Sequence, residues 1–122
     1  MQKLVKIAVD AMGGDFAPAA VVAGAVEALK EDIELFVYFV GIETQIREEL
    51  SKYDYPSDRV EVVHASECIE MAESPVRAIR RKKDSSMVVA MKLVKEKKAD
   101  AFVSAGSTGA ILVGGQVIVG RM

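Results

Sequence analysis

A chain of 122 residues has the length of one ordinary domain, and hydrophobic residues at 51% allow it a sizeable core. Charged residues at 28% and a formal net charge of −2 exclude a disordered polyelectrolyte and give no nucleic-acid signature. The single cysteine, Cys68, excludes an internal disulfide and agrees with a reducing, intracellular setting.

The chain alternates two kinds of segment. Leu4 to Asp10 (LVKIAVD) is rich in β-branched residues and ends at a glycine-containing turn, the pattern of a strand. Pro18 to Glu31 reads as a helix, with Pro18 in the first turn, where its missing N–H costs nothing. Glu34 to Gly41 (ELFVYFVG) is nearly continuously apolar, as a strand buried on both faces should be. Glu43 to Tyr53 is an amphipathic helix, with Ile46 and Leu50 four apart among charges. Arg59 to Ala65 (RVEVVHA) is a third strand. The polar stretch from Ser66 to Lys83 ends strongly basic and has room for a short helix beginning at Ser74–Pro75.

Asp84 to Lys98 begins with an N-cap signal, sets Met87, Met91 and Val94 on one face, and gathers lysines at its C-terminal end, where the helix dipole favours them. Ala99 to Gly106 is a fourth strand. Ser107 to Gly120, apolar and glycine-rich, is expected to be a buried helix. The order predicts an α/β fold of three layers, α/β/α, around a mainly parallel sheet. No linker or repeat divides residues 1–122, so one domain is expected, although half of a larger α/β protein has the same pattern. Asp10 and Asp15 interrupt the first apolar region, against a signal peptide. No apolar run approaches the roughly 18 residues of a spanning helix, and the chain reads as soluble and cytoplasmic.

Ligands of open parallel sheets bind outside the carboxyl ends of the strands. Three polar turns fall there: DAMGGD, HASECIE and SAGSTGA. In the third, Gly106 and Gly109 permit close backbone approach, while Ser104, Ser107 and Thr108 add hydroxyl donors without negative charge. That combination suits an anion at a helix N-terminus. It suits an ordinary helix N-cap after a tight turn equally well. A dinucleotide fingerprint would need glycine at position 104, and no G-x-x-x-x-G-K-[ST] pattern occurs.

In the first turn, Gly13 and Gly14 are flanked by Asp10 and Asp15. Bare carboxylates repel phosphate, so these aspartates suit holding loop N–H groups, capping the helix or orienting a cation, and a plain capped turn accounts for the same residues. The basic run holds Arg77, Arg80, Arg81, Lys82 and Lys83, with Arg77 and Arg80 on one helical face. It suits a phosphate group, an acidic partner protein, or simply a solvated surface. His64 is the only histidine. With Cys68 it completes no zinc set, and a Cys–His nucleophilic pair would lack an orienting group.

Taken together and in this order, IAVDAMGGDFAP, ESPVRAIRRKKDSSM and DAFVSAGSTGA resemble the N-terminal part of the bacterial phosphate acyltransferases of phospholipid synthesis, over essentially the whole chain. The resemblance implies a fold like that of the isocitrate and isopropylmalate dehydrogenases and the phosphotransacetylases. It implies transfer of a fatty acyl group from acyl carrier protein to inorganic phosphate, giving acyl phosphate for phospholipid synthesis. Acyl carrier protein, inorganic phosphate, a second copy of the chain in a homodimer and a peripheral membrane surface are the implied partners. No cofactor, metal or nucleic acid is implied.

Phosphate is itself the nucleophile of this reaction, so the protein must hold an anion and stabilise an oxyanion. Asp10, Ser107 and Thr108 are the expected catalytic residues. Gly13, Gly14, Asp15, Ser104, Gly106 and Gly109, with Arg77, Arg80, Lys82 and Lys83, are the expected phosphate and substrate contacts. Family chains are much longer, so this one is expected to be the N-terminal part of such a protein. Two other readings stand beside it: a dinucleotide-dependent dehydrogenase on a similar fold, disfavoured by Ser104, and a non-catalytic module that binds an acidic partner through the basic run.

Overall fold

A computed structural model describes residues 4–14, 16–67 and 84–104. Along them run β1 (Val5–Asp10), α1 (Ala19–Glu31), β2 (Leu35–Gly41), α2 (Glu43–Leu50), a 3-10 turn (Ser57–Arg59), β3 (Val60–His64), α3 (Ser86–Lys95) and β4 (Ala101–Val103). The predicted alternation holds over these residues. The helix expected at Ser107–Gly120 lies outside them, as does the stretch between Glu67 and Asp84, which has room for a short helix.

The four strands are all parallel, in the order β3-β2-β1-β4. β1 runs in register with β2 from Val5 opposite Leu35 to Asp10 opposite Val40, and with β4 from Ile7 opposite Ala101 to Val9 opposite Val103. The period-2 alternation of these strands builds two cores. Val9, Val37 and Phe39 face α1 and α2, meeting Val22, Val26 and Ile46. Ala8, Tyr38 and Val40 face the other way, toward Ala90 and Leu93 of α3. Helices therefore cover both faces, as parallel strands require.

Several boundaries differ from the sequence reading, each for a local reason. α1 begins at Ala19, with Pro18 as its N-cap rather than a residue of its first turn. α2 ends at Leu50, not Tyr53, because the N–H groups of Lys52 and Tyr53 turn back to Glu49 and Leu50 in tighter i→i−3 bonds. α3 begins at Ser86, since Ser85 is the N-cap and its Oγ accepts from the Val88 N–H at 3.2 Å. It ends at Lys95, where Lys97 adopts φ 62° and the N–H groups of Lys97 and Lys98 bond the carbonyls of Val94 and Leu93. That pairing is the Schellman termination, which favours glycine at the left-handed position. β4 holds only Ala101–Val103; Asp100 is spent instead on the start of β1, giving its N–H to the Lys6 carbonyl and accepting from the Lys6 N–H.

At the opposite edge from the carboxyl ends, Arg59 closes the fold. Its guanidinium donates to the carbonyls of Leu29, Asp32 and Leu35 at 2.7 to 3.0 Å. The cation thus sits on the last carbonyls of α1 and ties them to β2 and β3. Among the described residues no helix is long and apolar enough to cross a membrane.

Candidate functional site

The strand order fixes where a site can form. From β1 the chain moves by α1 to β2 and onward to β3, then returns through α3 on the opposite face to place β4 on the other side of β1. The crevice outside the carboxyl ends of β1 and β4 is therefore a topological switch point, the usual ligand position in such sheets. Asp10 ends β1 there, and Ser104 follows β4.

Asp10 is 2% exposed, and both its carboxylate oxygens are engaged. Oδ1 accepts from the Met12 N–H at 3.1 Å and from the Ser86 hydroxyl at 2.5 Å. Oδ2 accepts from the Ser104 hydroxyl at 2.8 Å. A carboxylate is acceptor-only, so it gathers donors from three directions: its own turn, the first residue of α3 and the end of β4. Hydrogen bonds to a charged acceptor are the stronger kind, and burial removes competition from water. The expectation that Asp10 holds loop N–H groups is met at Met12. The two serine partners lie 76 and 94 residues away.

The turn after β1 is built on the same residue. The Gly13 N–H approaches the Asp10 carbonyl at 3.4 Å, closing the chain reversal that the Asp10 side chain also braces. Gly14 has φ 91°, which an L side chain rarely adopts. Gly41, at the end of β2, is a packing glycine. A Cβ there would stand 2.6 Å from Met12 Cγ and 3.2 Å from Ile46 Cδ1. The Met12 side chain lies across the space that Gly41 leaves open.

A second cluster links the ends of the stretch that carries the basic run. Asp84 Oδ2 accepts from both the N–H and the hydroxyl of Ser66. These bonds hold the Asp84 carboxyl below its usual value near 3.8. Glu67 gives its N–H to the Asp84 carbonyl and accepts from the Ser86 N–H, in a parallel bridge with Ser85. The rim from Ser66 to Glu67 is thereby stitched to the residue that holds Asp10. His64 serves the scaffold, its Nδ1 accepting the first N–H of α2, from Glu43, at 3.2 Å.

Beside this rim, under α1, opens a cavity of about 360 Å³ with Ile7, Val9, Val21, Ala25 and Val103 in its walls. Asp10 and Ser104 are the polar residues among its described lining, and the rest of that lining is apolar or glycine. Of the residues singled out in the sequence, the structure brings Asp10 and Ser104 into direct contact, with Gly13 and Gly14 in the adjoining turn. Asp15, Cys68, Arg77, Arg80, Lys82, Lys83, Gly106, Ser107, Thr108 and Gly109 lie outside the described residues. Ser86 and the Ser66–Asp84 pair escaped the sequence reading. The signal at DSS spoke only of a helix start, and nothing local announces a bond to a strand 76 residues earlier.

Residues 5–122 match the family described as fatty acid synthesis protein. The chain is 56% identical over 117 residues to phosphate acyltransferases from Alkaliphilus oremlandii and Clostridium botulinum, covering 96% of this chain and 35% of each relative. It thus spans about a third of the length of the relatives it matches. In fold it is similar to a phosphotransacetylase from Streptococcus pyogenes, with TM-score 0.60, 19% identity, and coverage of 94% of this chain and 38% of the other. It is also similar to a phosphotransacetylase from Staphylococcus aureus, with TM-score 0.61, 22% identity, and coverage of 99% and 39%.

Proposed function

The chain belongs to the fatty acid synthesis protein family, and on that premise we propose that it serves a phosphate acyltransferase, which moves a fatty acyl group from acyl carrier protein to inorganic phosphate. The observation that carries this reading is its likeness to named phosphate acyltransferases over nearly its whole length. The switch point at the carboxyl ends of β1 and β4, where Asp10 and Ser104 lie, is the usual ligand position in such sheets and supports this reading. Kinship with the isocitrate and isopropylmalate dehydrogenase fold is part of the same proposal.

In this reaction a phosphate oxygen attacks the thioester carbonyl. The C–S bond breaks, the carrier's thiolate leaves and takes up a proton, and the product is an acyl phosphate. The protein has to place the anion and relieve charge on the carbonyl oxygen. Asp10 is suited to positioning, because its oxygens are occupied by the donors it orients. Ser104 and the turn through Gly13 and Gly14 line the approach. Gly106, Ser107, Thr108 and Gly109 are proposed to supply anion donors, and Asp15 to hold the turn. Arg77, Arg80, Lys82 and Lys83 are proposed to steer phosphate and the acidic carrier protein. A homodimer, a cytoplasmic location and peripheral association with the membrane belong to the same proposal. Phosphate acyltransferase relatives favour this reading over a dinucleotide dehydrogenase or a purely binding module.

The test is direct. Purified protein is incubated with acyl-acyl carrier protein, with and without inorganic phosphate, while free thiol and hydroxylamine-trapped acyl phosphate are measured. Thiol released in step with acyl phosphate, and only with phosphate present, is the expected result. Thiol release independent of phosphate would overturn the reading.

A further inference from the structure

We infer that Ser86 is a positioning residue of this site, acting through Asp10, an inference that rests on the acyltransfer reading above. Ser86 is 1% exposed and is the first residue of α3. Its hydroxyl donates to Asp10 Oδ1, and its N–H donates to the Glu67 carbonyl. Three segments of the rim therefore meet on one small side chain: the end of β1, the residues after β3, and the start of α3.

The consequence is geometric. A carboxylate at the end of a short side chain rotates about its own Cβ–Cγ bond unless both oxygens are held. Oδ1 shares the Met12 N–H and the Ser86 hydroxyl, and that pairing fixes the direction of Oδ2, which holds the Ser104 hydroxyl. Ser104 is the residue at which the chain leaves β4. Ser86 thus sets, at one remove, the placement of Ser104 and of the Met12–Gly14 turn. The neighbouring Ser85 has a different task, since its hydroxyl caps α3 on the Val88 N–H. The two adjacent serines divide helix capping from site alignment.

Ser86→Ala removes the hydroxyl, and Ser86→Thr restores one at the same place. The Michaelis constant for phosphate is expected to rise at least about tenfold in Ser86→Ala, with that for the acyl donor held within about twofold. Ser86→Thr should recover the phosphate value. A purely structural role would instead lower the active fraction without separating the two constants. Unchanged phosphate dependence in a folded Ser86→Ala overturns the inference. Where Ser86→Ala does not fold by circular dichroism, Ser86→Cys, of like size and a weak donor, takes its place.

A second readout is independent of turnover: the amide resonances of Met12, Gly13 and Ser104 should move in Ser86→Ala and return in Ser86→Thr. Amides that stay in place overturn the inference even in an active enzyme. A wild-type protein that forms no acyl phosphate counts against the acyltransfer reading, and the amide resonances then decide the positioning role alone.

Discussion

The Ser104 hydroxyl donates to Asp10 Oδ2 at 2.8 Å, joining the ends of two adjacent parallel strands across 94 residues of sequence. Asp10→Ala removes the acceptor for this hydroxyl, for Ser86 and for the Met12 N–H together. Losing hydrogen bonds to a buried charged group should destabilise the fold by about 2–4 kcal/mol. Asp10→Asn, which keeps one carbonyl oxygen and lets a serine hydroxyl turn to accept, should cost less. Urea denaturation of the two variants checks the order, and acyl phosphate formation should fall in both.

Gly14 and Gly41 support the same turn in different ways. Gly14→Ala forces a Cβ onto a backbone at φ 91°, at a cost of about 1–2 kcal/mol. Gly41→Ala drives a methyl into Met12 Cγ and should cost about 1–3 kcal/mol through overpacking. Met12→Ala made together with Gly41→Ala should recover part of that loss. A double-mutant cycle by thermal unfolding measures the coupling, and additive losses would count against the packing argument.

The Asp84 carboxyl is held low by the Ser66 N–H and hydroxyl. A group whose folded pKa lies below its unfolded value near 3.8 stabilises the fold above that value and loses the contribution as pH falls through the folded pKa. The stability gap between wild type and Asp84→Asn should therefore be present at neutral pH and close below about pH 4. Stability curves of both proteins from pH 7 to pH 2 test this; a gap that widens in acid would contradict it.

Lys97 occupies the left-handed position that ends α3. Lys97→Gly should raise stability by up to about 1 kcal/mol, because the strain of the side chain outweighs the extra freedom glycine gains when unfolded. A rise in melting temperature with unchanged phosphate response is the expected result.

Arg59 provides the control remote from the site. Arg59→Ala strips three carbonyls of their donor and should destabilise by about 1–3 kcal/mol. Phosphate affinity at the opposite edge of the sheet should not change in the folded fraction. A titration showing weakened binding would mean that the two edges are coupled.

The sequence made the alternation legible because each strand carries a short apolar run and each helix an amphipathic one. Its limits were the helix ends at Leu50 and Lys95, where tight backbone bonds, not side-chain pattern, stop the helix. The site was legible in half. Asp10, Gly13, Gly14 and Ser104 stand out as polar or flexible residues after apolar strands. Strand order was not legible, and it is the pairing of β4 with β1 that brings Ser104 beside Asp10. Ser86 was hidden because a serine at the head of a helix looks like a cap, and in this chain its neighbour Ser85 does the capping.

The most direct test of the central claim, that the switch point around Asp10 serves a phosphate-using site, is an amide NMR titration with inorganic phosphate and, separately, with NAD. The account predicts that phosphate shifts Met12, Gly13, Gly14 and Ser104 while NAD leaves them in place, and that Asp10→Asn weakens the response. Movement with NAD alone, or a folded protein whose rim amides ignore phosphate, would contradict it.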